Sequence, residues 1–479
     1  MDLDFINSIF RIFFSVFFSF KLYYTLKAIN LSFLERDIVF GKICFSILFF
    51  LNLLLFIGFY ASIVAVAIFF IQRIIYYKIL MYTLEDVYFH TATIFLIFAD
   101  ISSYFSINNF QIFNYDQLIP YYALTIGVGA TFFSASIAKF NDKIWHNGKA
   151  IYYFFNLPYR RRFNFSKIGF FSNLKITKFL GKFQIFMQLI LLPSCLFLQN
   201  EVAIFITVFN IIFCLVLVIF FHFLWLAELC LIMLLTILLG LIFIQTDIFF
   251  FEFIKNISNE INPNNLAKIF LIFTTATLIM QPTINFFNSK NLILRSTDKI
   301  LFKINRIIFG VVPIKVFTAI HIENPLIFKI KYQSSKKNSK LVEVFNLYKD
   351  DGSINFKWIG LKPTLFSALT YKINDFLLEV EKNKISPERI SLISGIFKYI
   401  LKYEVSNNIK KDGKLIFFIT QINTSKISKI EINKNLKFHK VIEVKYFKND
   451  LKIKKLGKIF KIKTYRDINR ENLIPSTKV

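Results

Sequence analysis

Long apolar runs with almost no charged residues fill the first 287 residues, and they constrain the fold more than any other feature. The run from Val202 to Ile244 contains Glu228 as its single charged residue. The hydrocarbon core of a bilayer is about 30 Å thick and an α-helix rises about 1.5 Å per residue, so about 20 apolar residues span it. The chain is 55% hydrophobic, whereas soluble domains are about 45–50% apolar. The sequence therefore predicts an all-α transmembrane bundle.

Seven apolar segments are candidate spans: residues 9–26, 44–71, 87–105, 121–138, 183–198, 202–244 and 266–287. The segment 44–71 has no charged residue and is predicted to span with tilt, whereas 183–198 is expected to break near Pro193. The run 202–244 is about twice a bilayer thickness, so it is either one overlong helix or a tight hairpin. The bundle therefore has about seven spans, or eight if that run is a hairpin.

The charge is distributed unevenly along the chain. The formal net charge is +28, and roughly two-thirds of the 58 Lys and Arg residues follow about residue 288. The chain therefore divides into a bundle at 1–287, with a basic insertion at 139–182, and a Lys-rich domain at 288–479. Because basic loops favour the inner side of a membrane, the insertion is expected there, and Met1 on the same side. The side of the C-terminal domain depends on the span count.

The C-terminal domain is predicted to be α+β and to lie outside the lipid. Residues 365–405 have a helical pattern, with Ser386-Pro387-Glu388 as a helix start signal. Asp412-Gly413 is a hairpin signal before an apolar stretch. Residues 441–447 and 459–465 alternate as strands do.

Polar residues inside the apolar segments are the candidate functional residues: His90, Asp100, His222 and Glu228. A carboxylate at bilayer depth costs about 2.5–3.5 kcal/mol on insertion scales, so it should face a partner or water. A proton-relay or lipid-headgroup site is one interpretation, and pairing within the bundle or snorkelling to the interface is the other. Both stay open for Asp100, whereas a hairpin at 202–244 would place Glu228 near the surface.

Small residues concentrate in the fourth candidate span. Gly127, Gly129 and Ala130 lie within one helical turn of each other, and small residues let helix backbones approach closely. This helix is therefore predicted to pack inside the bundle.

The sequence carries no motif for catalysis of its own. Its five His and four Cys residues show no metal-ligand spacing, so we expect no metal and no cofactor other than bound phospholipid. The basic tail lacks the regularly spaced aromatic residues of an RNA-binding sheet. We therefore expect membrane lipids and protein subunits as partners, and no nucleic acid.

Three segments resemble cytochrome c oxidase subunit 3. Ile119-Pro120 followed by Gly129-Ala-Thr-Phe-Phe-Ser-Ala-Ser-Ile137 resembles the fourth helix of that family, with Ser and Ile in place of its two His residues. Phe221-His222-Phe-Leu224 resembles the sixth helix, and Asp100 falls where the family has a buried Glu. Seven spans would also fit, whereas the insertion and the tail have no counterpart.

The abundance of Phe, Ile, Lys and Asn reflects AT-rich codons, and with it the chain resembles the divergent, mitochondrially encoded respiratory subunits of ciliates. The resemblance implies a non-redox, multi-pass core subunit of the mitochondrial inner membrane that supports the catalytic subunit of a proton-translocating oxidoreductase. It also implies a phospholipid cleft between the first two helices and the other five, with Asp100 beside it. Such a chain is no enzyme alone.

Three alternatives belong to other classes of membrane protein. A proton-conducting subunit of ATP synthase needs an Arg deep in a helix, and a pump subunit of complex I needs buried Lys residues, and we find neither at the centre of a span. A secondary transporter would show internal symmetry between halves, and we see none.

Overall fold

The computed structural model describes residues 2–76, 78–79, 84–108, 110–111, 115–140, 143–147, 149–156, 173–198, 200–220, 226–244, 250, 262–286, 292–305, 326–335, 340–346, 385–386, 390–396, 413–421, 439–447 and 450–455.

All the regular secondary structure among the described residues up to 305 is helical. The helices are α1 (Leu3–Lys27), α2 (Ile29–Ser32), α3 (Ile38–Ile57), α4 (Ala61–Tyr76), α5 (Leu84–Phe98), α6 (Leu118–Phe140), α7 (Lys143–His146), α8 (Lys149–Asn156), α9 (Leu174–Phe197), α10 (Asn200–Phe220), α11 (Leu226–Ile244), α12 (Pro263–Phe286) and α13 (Leu292–Ile304), with a 3₁₀ turn at Glu35–Asp37 before α3.

Seven of the described helices are long and apolar enough to cross a membrane: α1, α3, α6, α9, α10, α11 and α12. The protein is therefore a multi-pass membrane protein. The number agrees with the prediction of about seven spans, but the set of helices differs. The segments 44–71 and 87–105 do not form the single long helices that were predicted, and the run 202–244 forms two helices.

The segment 44–71 is two helices, and its prediction as one span is wrong. Gly58 ends α3 with a φ of 72°, and Tyr60 follows with a φ of 43°. Glycine adopts this left-handed conformation at little steric cost and commonly ends helices. At the other end of the pair, Lys78 Nζ donates to Asp37 Oδ1 at 2.7 Å. The helix α4 therefore returns to the level at which α3 begins.

The segment 87–105 is also shorter than predicted. Its helix, α5, covers Leu84–Phe98, and the chain then leaves the helix before Asp100. By contrast, α9 continues past Pro193 to Phe197, so the expected break there is wrong. The run 202–244 is a helical hairpin, the second of the two alternatives, in which Cys214 and Cys230 bring their Sγ atoms to 3.6 Å.

Neighbouring helices run antiparallel between two ends of the bundle, as contacts between helix ends show. At one end Tyr104 contacts Asp2 and the backbone of Asp116 contacts Asn264. The shorter α4 and α5 run between the same two ends as the long helices. Within the described residues the chain thus crosses the bundle nine times, in α1, α3, α4, α5, α6, α9, α10, α11 and α12.

Charged residues divide unevenly between these two ends. The acidic end carries Asp2, Asp4, Asp100, Asp116 and Glu201 together with Lys268. The basic end carries more Lys and Arg residues, namely Lys27, Arg36, Lys42, Lys78, Lys175, Lys178 and Lys182, together with the acidic Asp37, Asp86 and Glu228. Five crossings precede the insertion at 139–182, so the start of α1 lies at the opposite end of the bundle from it, whereas the sequence predicts the two on one side. Four more crossings bring α13 back to the basic end.

The helix α6 lies at the centre of the bundle, with 78% of its span buried. It contacts α5, α9, α11 and α12. A Cβ atom on Gly127 would overlap the side chain of Thr91 in α5, and one on Gly129 would lie 2.9 Å from Leu192 Cβ in α9. Ala130 is also buried. The small residues thus lie where two neighbouring helices approach α6 most closely.

The described part of the tail contains an antiparallel sheet with the strand order β2-β1-β3-β4-β5. Its strands are β1 (Leu326–Ser334), β2 (Val342–Asn346), β3 (Gly413–Gln421), β4 (His439–Phe447) and β5 (Asp450–Lys455). The predicted strand at 441–447 lies in β4, and the helical pattern has its described part at 390–396, where Ile390 N bonds to Ser386 O. The predicted strand 459–465, Asp412 and the rest of 365–405 lie outside the described residues.

Replacement of Gly127 by Ala tests the close approach of α5 and α6. The added methyl group has no space beside Thr91, and overpacking of this kind costs about 1–3 kcal/mol. We expect a lower thermal unfolding midpoint for the detergent-solubilised protein. Gly181→Ala is the control, because its Cβ would approach Ile151 Cγ1 only to 3.3 Å, which a shift of a few tenths of an ångström relieves, and alanine favours a helix. An equal loss for both variants would contradict the packing account.

Candidate functional site

The structure does not bring the four candidate residues together. Asp100 lies in the loop after α5, half-buried, where its carboxylate accepts from Ser102 N at 3.1 Å and from Ser103 Oγ at 2.6 Å. Asp100 therefore lies beyond the end of α5 and not within a helix, as the predicted span 87–105 would have placed it. Glu228 is half-buried in the first turn of α11, where a negative charge is favourable beside the helix N-terminus. His222 lies outside the described residues.

His90 is the candidate that lies inside the bundle. It is fully buried in α5, and its ring packs against Tyr76 of α4 with 4.2 Å between ring centroids. Neither ring nitrogen has a hydrogen-bond partner among the described residues. A buried polar group without a hydrogen-bond partner lowers stability, which makes His90 a candidate for a functional role.

Further polar residues of α4 and α5 surround His90. Thr93 Oγ1 lies 3.3 Å from Gln72 Oε1, and Gln72 Nε2 is buried without a hydrogen-bond partner among the described residues. The guanidinium of Arg73 stacks over the Phe69 ring at 4.7 Å, and Arg73 is itself buried. One face of α4 is thus polar although it is buried.

A buried ion pair lies beside this polar face. Lys21 Nζ of α1 and Asp86 Oδ1 of α5 are 3.2 Å apart, with side chains only 7% and 8% exposed. The pair joins the first helix to the fifth near the basic end. Loss of one partner from such a pair leaves a buried charge, which is strongly destabilising.

These residues border a cleft at the basic end between α1, α3, α4 and α5, which we call the basic-end cleft. Its polar lining is Lys21, Thr25, Gln72, Tyr76 and Asp86, and its apolar lining is Phe18, Leu22, Phe45, Leu48, Ile75 and Ile79. The unpaired amide nitrogen of Gln72 supplies a hydrogen-bond donor at its wall. The cleft therefore combines an apolar surface with a few polar groups, as binding sites for small amphiphilic molecules do.

Arg11 is a buried basic residue whose role the sequence did not reveal. Its guanidinium donates to Ile101 O at 2.9 Å and to Phe105 O at 2.6 Å, and it also contacts Ser106 Oγ. Arg11 therefore holds the loop after α5 against α1 at the acidic end. Its signal in the sequence is a charge within an apolar helix, which by itself indicates a buried partner.

Lys139 is a second buried basic residue, and it links α6 to α9 near the basic end. It is buried, its Nζ donates to Gln188 Oε1 at 2.7 Å, and it lies 4.9 Å from the Trp145 ring. Arg73 and Lys139 lie nearer to a helix end than to its centre, whereas Arg11 lies nearer to the centre of α1 than to either of its ends. The sequence argument that the centres of the spans carry no basic residue therefore does not hold for α1.

The pair of Asp37 and Lys78 provides a partly exposed counterpart to the buried ion pair, because the Lys78 side chain is exposed while Asp37 is buried. The hydrogen bond from Lys78 lowers the pKa of Asp37 below its ordinary value. Because the shift is downward, its contribution to stability is present at neutral pH and is lost as the pH falls through the lowered pKa. With 48% of the Lys78 side chain exposed, solvent screens much of this interaction.

Comparison of the chain with protein-family models, with curated proteins and with solved structures finds no match. Within the described residues no group of three or more His, Cys, Asp or Glu side chains is placed to hold one metal ion. The basic-end cleft, with His90 behind it, is therefore the candidate site on which a functional interpretation rests.

The buried ion pair can be tested against its partly exposed counterpart. Lys21→Met leaves the Asp86 carboxylate buried and should lower the free energy of unfolding by about 3–5 kcal/mol. Lys78→Met should cost at most about 1 kcal/mol. Both are measured by titrating the detergent-solubilised protein with sodium dodecyl sulfate. The double variant Lys21→Met/Asp86→Leu should recover most of the loss, and failure to recover it would show that the packing of Lys21, and not its charge, matters.

Proposed function

We propose that the protein is a non-redox core subunit of a respiratory complex of the mitochondrial inner membrane, similar to subunit 3 of cytochrome c oxidase. In this role the bundle supports the catalytic subunit and binds phospholipid, and it carries out no catalysis alone. The observation that carries the proposal is the basic-end cleft, whose polar and apolar linings match the two parts of a phospholipid.

The cleft has the chemistry that a phospholipid needs. In this proposal an acyl chain packs against Phe18, Leu22 and Leu48, which are apolar and line the cleft. The enclosed volume is only about 20 Å³, so the surrounding helices must part to admit the chain. The amide nitrogen of Gln72 offers a donor to a phosphate or ester oxygen, and it has no partner among the described residues. A lipid oxygen at this place would remove the cost of a buried unsatisfied donor.

The outer surface of the bundle supports the role of a subunit. Fewer than a third of the residues in the α3 span, 28%, are buried, and Val39, Phe50 and Phe205 are largely exposed. In a membrane these faces contact lipid chains or the helices of neighbouring subunits. The bundle therefore presents wide apolar faces on which other subunits can pack.

The separation of charge supports the proposed orientation. Basic residues lie on the side from which a membrane protein is inserted, and in mitochondria this side is the matrix. The basic end and the C-terminal tail accordingly face the matrix in this proposal, and the acidic end faces the intermembrane space.

The resemblance to subunit 3 now depends on fewer features. The seven long apolar helices agree with it in number, but α4 and α5 lie between them and Asp100 lies in a loop. What remains is the helix α6 with its run from Gly129 to Ile137 and the AT-rich composition. The oxidase is therefore the specific part of the proposal that most needs a direct test.

Native gel electrophoresis of gently solubilised membranes provides that test. We expect the chain, identified by mass spectrometry, in the band that shows the absorbance of haem a, because the haem is carried by its partner subunits. Migration with an ATP-hydrolysing band or with an NADH-oxidising band would assign it to another complex and would overturn the oxidase assignment.

Lipid binding in the cleft can be tested with two buried glutamines. Gln72 and Gln184 each bury an amide nitrogen without a partner among the described residues, but only Gln72 lines the cleft. We expect Gln72→Leu to lower the phospholipid that is retained per chain after purification, measured by mass spectrometry, and Gln184→Leu to leave it unchanged. Equal retention in both variants and the unmodified protein would contradict a lipid in the cleft.

A further inference from the structure

One face of the tail sheet is crowded with lysine. In an antiparallel sheet, residues paired across neighbouring strands point to the same face, and side chains alternate between faces along a strand. The pairing places Lys331, Lys414, Lys445, Lys452 and Lys454 on one face, together with the acidic Glu343 and Glu443 and the buried Ile416. The opposite face carries the buried Ile330, Tyr332, Leu415, Phe417, Ile442 and Val444. The sheet thus has an apolar face and a basic face.

Three of these lysines form a continuous row across three strands. Lys414 of β3 pairs with Lys445 of β4, and Lys445 pairs with Lys452 of β5. Like charges directly opposite each other destabilise a sheet. Glu443 offsets this repulsion in part, since it lies 3.6 Å from Lys414 and 3.7 Å from Lys445. One carboxylate does not balance three ammonium groups, so the row keeps an excess of positive charge.

Protection of a sheet edge does not account for the row. Lysines on an edge strand commonly prevent unwanted pairing with other chains, and Lys452 lies on such a strand. Lys414 and Lys445, however, lie on β3 and β4, which are paired on both sides. Their positions indicate that the face of the sheet is a binding surface for a negatively charged partner.

The composition of the basic face favours a membrane surface as the source of that charge. The described lysines of the face occur without arginine, the residue that binds single phosphate groups through two parallel hydrogen bonds. The ring of Phe418 lies under Lys331 at 5.3 Å, so it does not offer an open platform for stacking a base. Clusters of lysine bind the anionic lipids of a membrane through their summed charge.

The membrane is also within reach of the sheet. The bundle and the sheet belong to one chain, and residues 306–325 join α13 to β1. A connection of this length extends at most about 70 Å, which holds the sheet permanently near the bilayer and gives a high effective concentration of lipid headgroups. We infer that the basic face of the tail sheet docks on the anionic phospholipid surface of the membrane that holds the bundle.

The full-length protein in nanodiscs tests this inference. Nanodiscs of phosphatidylcholine alone are compared with nanodiscs that contain about one-fifth cardiolipin, and the rate of acetylation of Lys445 and Lys452 is followed by mass spectrometry. Each lysine near an anionic membrane surface strengthens the binding of the protein to that surface about fivefold. Lysines held against the surface are shielded from the reagent, so we expect acetylation in the anionic nanodiscs to be slower by at least about fivefold. The difference should vanish in about 1 M salt, where the screening length is about 3 Å.

Two variants that remove the same amount of positive charge distinguish the effect of the lysine row from the effect of net charge. Lys414→Gln/Lys445→Gln/Lys452→Gln should remove the protection of Lys331 and Lys454, whereas Lys175→Gln/Lys178→Gln/Lys182→Gln, which removes the same charge from α9, should retain it. Replacement of the row by arginine should restore it. If the glutamine variant fails to fold, the acetylation rates of the unmodified protein in the neutral and the anionic nanodiscs still test the inference. Equal acetylation in both nanodiscs, or protection by added single-stranded RNA in neutral nanodiscs alone, would overturn the inference.

Discussion

The lack of water inside a bilayer is the constraint on which the rest of the structure depends. Every polar group that enters the bundle must find a partner there or remain at high cost. Arg11 binds backbone oxygens of the loop after α5, Lys21 pairs with Asp86 and Lys139 binds Gln188. These contacts fix which helix lies beside which, and the small residues of α6 then set how closely the helices approach.

Much of the bundle could be predicted from apolar length alone, but the turns could not. The end of α3 depends on the left-handed conformation of Gly58, and a single glycine within an apolar run does not distinguish a turn from a packed helix. The position of Asp100 is ambiguous in the same way. A carboxylate at the end of an apolar run is compatible with a buried site, and equally with a loop in which neighbouring serines donate hydrogen bonds to it. The hairpin at 202–244, by contrast, follows from its length.

The candidate site could be predicted only in part. His90 and the packing glycines Gly127 and Gly129 stand out in the sequence because each is unusual in an apolar helix. The cleft could not be predicted, since it forms from Lys21, Gln72 and Asp86, which are far apart in the chain and meet only when α1, α4 and α5 pack together. The division of 44–71 into α3 and α4 also could not be foreseen, and this one additional crossing before the insertion places the start of α1 at the opposite end of the bundle from it.

The central claim is that an odd number of crossings, whether of the seven long apolar helices or of these and the shorter α4 and α5, places the start of α1 and the C-terminal tail on opposite sides of the membrane. Epitopes attached to the two termini, followed by protease treatment of sealed inner-membrane vesicles, test it directly. The account predicts that the protease removes one epitope and leaves the other intact until detergent opens the vesicles. Removal of both epitopes, or protection of both, from sealed vesicles would show an even number of crossings and would contradict the account.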